Sequence, residues 1–195
     1  MTPARPAAVA VAFALLAGCA SAPTSPLTRW TAAAERYREG ARTASPTLLM
    51  RAARELARDP ARPWSLVVTT AAVAGIATAP HAVPAPSPEA AFALAGVAGP
   101  PPAPDRTAPG PRRSVFPLVG GGRALIALDD DESEVAVVGD DLALWVFDTG
   151  GALLCRAAAA FVLRCRWPVR GGAGGYDVVV RNLGRDRTDV TVLAP

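Results

Sequence analysis

Residues 141–151, Asp141-Leu142-Ala143-Leu144-Trp145-Val146-Phe147-Asp148-Thr149-Gly150-Gly151, decide the fold class. A short run rich in Leu, Val and aromatic side chains ends at Asp148 and is followed by Thr-Gly-Gly. Such a run, bounded by turn residues, reads as a β-strand closed by a tight turn. The same grammar repeats on both sides. Further strands are expected at 115–119, 123–129, 134–139, 152–157, 161–167, 176–182 and 188–193. Gly120-Gly121-Gly122, Gly171-Gly172-Ala173-Gly174-Gly175 and Leu183-Gly184-Arg185-Asp186 separate them. Many short strands at close spacing argue for an all-β sandwich, and residues 115–195 suffice for one such domain.

These strands also resemble a family. Asp141 to Gly151 is similar to the "D-L-D-L-Y-V-Y-D-x-x-G" strand and turn of bacterial prepeptidase C-terminal domains. Gly174-Gly175-Tyr176-Asp177-Val178-Val179-Val180-Arg181-Asn182-Leu183-Gly184 resembles their "G-x-Y-x-V-x-V-x-N-x-G" strand, and residues 188–193 fall where their last strand lies. The likeness covers residues 112–195. It implies a jelly-roll-like, non-catalytic sandwich attached to a secreted protein, and some members bind calcium or polymeric substrates. One position departs from the pattern: the second Asp of "D-L-D" is Ala143 here.

Upstream of the sandwich the sequence changes character. Residues 99–114 contain no apolar run and hold Pro100, Pro101, Pro102, Pro104, Pro109 and Pro111, which predicts an extended Pro-rich linker. Before it, residues 27–98 read as a small helical region. Leu27, Trp30, Ala34, Tyr37 and Ala41 fall at helical spacing, predicting a helix over 27–43. Ser45-Pro46 is a good cap and first helical residue, and Asp59-Pro60 closes a second helix over 46–58. Residues 64–79 are apolar and uncharged; a buried helix is the expectation and a strand the alternative. Ser87-Pro88-Glu89 starts another helix that ends at Gly99. His81, the only histidine, lies among prolines and reads as an exposed loop residue.

The front of the chain carries an address. Arg5 precedes the apolar stretch 7–16, which is too short to span a bilayer and of the right length for a cleaved signal. Leu16-Ala17-Gly18-Cys19 resembles the bacterial lipobox. It implies a signal peptide over 1–18 and lipidation of Cys19, with residues 19–26 as a tether. The expected location is a membrane-anchored lipoprotein outside the cytoplasm, on the outer membrane or the periplasmic face. Each buried acyl CH₂ would contribute about 0.8 kcal/mol to anchoring.

Two cysteines then remain, Cys155 and Cys165, and only one internal pairing exists. An oxidising compartment permits a disulfide. An antiparallel hairpin turning around residues 158–160 would set the two near each other and let the bridge pin the hairpin's register. A zinc site is excluded, because no other Cys and no well-placed His completes it.

Charge is uneven. Net charge is +3, and all twenty basic residues are Arg. Residues 27–62 hold eight Arg against four acids, which suits either an anionic surface or a solvated helix face with Arg–Glu pairs. Residues 129–148 hold eight acids and no base. Asp129, Asp130, Asp131, Glu132 and Glu134 are candidate oxygen ligands for calcium, or else a hydrated acidic loop. Arg156, Arg164, Arg166 and Arg170 form a basic stretch that could meet an anionic polymer or simply face solvent.

No catalytic signature occurs: no Gly-x-Ser-x-Gly, His-Glu-x-x-His, phosphate loop or dinucleotide glycine pattern. The expected function is a non-catalytic binding or accessory module at the envelope, contacting an envelope protein or a glycan, with no nucleic-acid partner. The alternatives are a structural envelope component whose helices pack on a partner and, third, a hydrolase with an unrecognised site.

Overall fold

The computed structural model describes residues 25–64, 68–71, 85–97, 110–169 and 174–195. The expectations for Cys19, His81 and Arg170, and for most of the Pro-rich stretch, lie outside these residues.

Three helices start the same way. α1 (Pro26–Arg42), α2 (Pro46–Arg58) and α3 (Pro88–Leu94) each have Ser at the cap and Pro in the first turn. Each Ser Oγ accepts a hydrogen bond from a backbone N–H left orphan by the helix end: Thr28 at 3.2 Å, Leu48 at 3.4 Å and Ala90 at 3.0 Å. Pro26, expected as the end of the tether, is therefore a helix starter. α1 and α2 pack side by side, closely enough that a Cβ on Gly40 would meet Leu49 at 3.0 Å.

Ten strands follow or interleave: β1 (Arg62–Pro63), β2 (Val68–Ala71), β3 (Arg112–Leu118), β4 (Arg123–Leu128), β5 (Glu134–Val138), β6 (Leu142–Asp148), β7 (Leu153–Ala158), β8 (Val162–Arg166), β9 (Tyr176–Asn182) and β10 (Thr188–Ala194). They form two five-stranded sheets. Sheet I has the order β1-β3-β10-β5-β8 and sheet II the order β2-β4-β9-β6-β7. All neighbours are antiparallel except β1 and β3. The all-β expectation for the C-terminal half therefore holds, and the strands are stacked as a two-sheet sandwich.

Three details differ from the sequence reading. The helix expected over 64–79 is a strand where it is described: residues 68–71 pair with β4, as their β-branched Val-Thr-Thr favours. Residues 112–114, placed in the linker, belong to β3 and pair with β10. The third concerns the cysteines. Cys155 and Cys165 are bonded, with Cα atoms 5.7 Å apart. Yet β7 hydrogen-bonds to β6 in sheet II, while β8 hydrogen-bonds to β5 in sheet I. The turn between them, with Ala159 at φ 62°, carries the chain from one sheet to the other. The bridge staples two sheets and pins no hairpin register.

The core between the sheets holds Ile126, Val135, Val137, Leu144, Val146, Leu163, Val178, Val180, Val190 and Val192. Sheet I is also buried on its other face. Ala136, Val138 and Leu193 pack there against Leu27, Trp30, Ala33 and Ala34 of α1 and Leu56 of α2. β5 is consequently buried at every position, so its five residues show no alternation. A third cluster, Tyr37, Leu49, Ala52, Ala53 and Ala91, joins the three helices. The apolar stripes of α1 and α2 are thus covered within the chain. The order of layers is helices, sheet I, sheet II.

Candidate functional site on the outer face of sheet II

Alternation along a strand decides which side chains face outward. In β4, Ala124, Ile126 and Leu128 are buried and Arg123, Leu125 and Ala127 exposed. In β6 and β9 the inward residues are Leu142, Leu144, Val146, Tyr176, Val178 and Val180. That leaves Trp145 and Phe147 of β6, and Asp177, Val179 and Arg181 of β9, on the outside.

Strand pairing arranges these residues in rows. Arg123 stands opposite Arg181. One step along the strands, Leu125 stands opposite Val179, Val179 opposite Trp145, and Trp145 opposite Arg156. One further step brings Asp177 opposite Phe147. Arg123, Trp145, Phe147, Val179 and Arg181 line a shallow hollow of about 320 Å³. Trp145 and Phe147 are only half-buried, and Leu125 is 44% exposed. Among the described residues Arg123, Arg156 and Arg181 make no ion pair, and the Nε of Arg181 is buried without a hydrogen-bond partner.

The other charged groups have structural occupations. The five acids weighed for calcium are divided. Asp129, Asp130 and Asp131 are exposed on the turn after β4. Glu132 is buried and paired with Arg112, whose guanidinium lies over the Trp64 ring at 4.7 Å. Glu134 is buried between Arg164 and Arg166, the latter at 3.0 Å. Burial pushes the Glu134 carboxyl up, but hydrogen bonds and charge from Arg166 and Arg164 outweigh it and hold the group below its ordinary range. No three metal-ligating side chains converge among the described residues.

The basic stretch is divided as well. Arg164 and Arg166 do share a face, as alternation predicts, but it is the helix-covered face of sheet I. Arg164 also donates to Thr28 of α1 at 2.9 Å. Arg156 alone reaches the open face of sheet II. The basic N-terminal segment is largely paired: Arg29 with Asp59 at 2.7 Å, Arg36 with Glu55 at 2.9 Å, and Arg38 with Asp140 at 2.6 Å.

Arg156 was named in the basic stretch, but Arg123, Trp145, Phe147 and Arg181 escape sequence reasoning as site residues. The available signal was β6 itself, apolar on both of its faces, which is more than a strand with one wet face needs.

No protein-family model matches the chain, and a search of curated proteins gives no match. Two solved structures are similar to part of it. The Yersinia pseudotuberculosis-derived mitogen is 12% identical, with 45% of this chain and 86% of that chain covered and a TM-score of 0.35. A de novo designed double-stranded β-helix is 12% identical, with 43% of this chain and 99% of that chain covered and a TM-score of 0.33.

Proposed function

We infer that the protein is a non-catalytic binding module of the bacterial cell envelope, anchored through a lipidated Cys19 and contacting its ligand with the outer face of sheet II. One observation carries the reading. The sandwich has two outer faces, and among the described residues only the outside of sheet I has helices packed on it. Helices pack over β5 and β10 on the outside of sheet I, whereas sheet II leaves Trp145 and Phe147 half-open beside Arg123 and Arg181. Trp and Arg are the side chains that most often dominate binding surfaces, because each combines large contact area with a directional polar group. The likeness of residues 112–195 to prepeptidase C-terminal domains supports a role without catalysis. The Cys155–Cys165 bridge accords with an oxidising compartment.

The test uses the full chain and its Trp145→Ala, Phe147→Ala double variant, each immobilised and exposed to solubilised envelope material. Wild type should retain a saturable component that the variant loses. Equal retention by both would remove the outer face of sheet II from the function. Cys19→Ser should release the protein from the membrane fraction; unchanged fractionation would remove the anchor.

A further inference from the structure

We propose that the ligand of this face is an acidic glycan, with a sugar ring stacked on Trp145 and its carboxylate held by Arg123 and Arg181. This rests on the binding-module reading and names the chemistry that the module recognises.

Arg123 and Arg181 are direct cross-strand partners. Like charges directly opposite on a sheet repel, with side-chain origins only about 5 Å apart. Neither has an acidic partner among the described residues, and the buried Nε of Arg181 has no acceptor. A carboxylate between the two guanidinium groups would relieve the repulsion and accept hydrogen bonds in the fork geometry that arginine offers.

Val179 and Trp145 lie one step from the Arg pair, about 7 Å along the strands. The C–H bonds on one side of a sugar ring carry partial positive charge, which the negative face of an indole attracts. A ring on Trp145 would direct an exocyclic carboxylate toward the long side chains of the Arg row, where a charge-assisted hydrogen bond of about 2.8 Å closes the contact.

Asp177 stands beside Phe147 and is exposed. Its carboxylate accepts hydrogen bonds from sugar hydroxyls. A deoxyribose-phosphate backbone offers it no such hydroxyl. The face therefore carries the Arg123–Arg181 pair at one end, Trp145 beside Arg156 in the middle and Asp177 beside Phe147 at the other. That pattern fits a ligand that offers carboxylates and hydroxyls together.

The experiment titrates the full chain with polygalacturonate, alginate and hyaluronan, with methyl-esterified polygalacturonate, and separately with single-stranded DNA and phosphatidylglycerol vesicles. At least one uronate polymer should bind. If polygalacturonate is the binder, esterification should weaken it about tenfold or more, the scale of losing charge-assisted hydrogen bonds. Arg181→Gln and Arg123→Gln, checked for an unchanged melting temperature, should each weaken the uronate complex similarly. Trp145→Ala should abolish it. Equal binding of the neutral ester, or Arg variants that bind as wild type, would overturn the carboxylate assignment. Preference for DNA or vesicles would overturn the glycan. Binding to none of the uronates, while Trp145-dependent retention of envelope material persists, would overturn this inference and leave the binding-module reading standing. Loss of that retention as well would sink both.

Discussion

Cys155 stands opposite Val146 in sheet II, Cys165 stands opposite Val135 in sheet I, and the bond between them ties the outer edge of one sheet to the outer edge of the other. β7 and β8 are the terminal strands of their sheets on that side, so each has one hydrogen-bonded neighbour. The bridge closes a short segment, sequence separation 10. Chain-entropy arguments give a stabilisation of about 2–3 kcal/mol for such a loop. Reduction should lower the melting temperature by roughly 5–10 °C. Amide protection should fall first in β7 and β8 while β4 and β9 keep theirs. Exchange that rises evenly across both sheets would contradict a local staple.

Glu134 lies under the helix layer, held ionised by Arg164 and Arg166. Its folded-state pKa is lowered, so the unfolded state binds the proton more readily. The stabilisation is fully present above the ordinary carboxylate range near pH 4.5. It is lost as pH falls through the lower folded value. Glu134→Gln should flatten the acid limb of the stability curve. At neutral pH it should cost about 1–3 kcal/mol, because Arg164 loses its charged partner in a half-buried site. Urea unfolding between pH 3 and 7 measures both.

Gly40 sits where α1 and α2 approach each other. Replacing Gly by Ala in a helix interior ordinarily stabilises by about 1 kcal/mol. Here the new Cβ would lie 3.0 Å from both the Leu49 Cγ and its backbone nitrogen. Overpacking of that kind costs about 1–3 kcal/mol and outweighs the propensity gain. Gly40→Ala should lower stability, read as a lower urea midpoint at unchanged slope.

Trp145 and Trp30 separate surface from core. Trp30 is 1% exposed, between the helices and sheet I. Trp30→Ala should cost about 3–5 kcal/mol. Trp145→Ala removes a side chain that is already half-exposed and should change stability far less while eliminating ligand retention. Comparable thermal losses for the two variants would place Trp145 in the framework rather than the site.

The strands of the C-terminal half were legible because their boundaries are chemical: Gly pairs, Asp-rich turns and Val-rich runs. β4 even shows strict alternation of buried and exposed residues. The Ser-Pro starts of the helices were legible for the same reason, since capping is local. Pairing was not. Nothing within Glu134–Val138 says that both of its faces are covered, because the residues covering the second face come from α1 and α2. Nor does local sequence show that β7 and β8 part company at Ala159, and the disulfide is compatible with either geometry. The candidate site was hidden for a related reason. Arg123 and Arg181 meet only through the β4–β9 ladder, and Trp145 reads as core until it is found half-open beside a hollow on the outer face of sheet II.

The strand order has a consequence for how the chain is made. β10, the last strand in chain order, is the centre of sheet I, with β3 on one side and β5 on the other. Until residues 188–194 have emerged from the ribosome, neither flanking strand has its neighbour. Contact order is therefore high, and closure of sheet I waits for residues 188–194. During that interval the unpaired edges of β3 and of the Val-rich β5 are open to wrong partners. Truncation before Thr188 should therefore leave an aggregating chain rather than a slightly smaller sandwich. A holding chaperone should matter more to this protein than its modest size suggests.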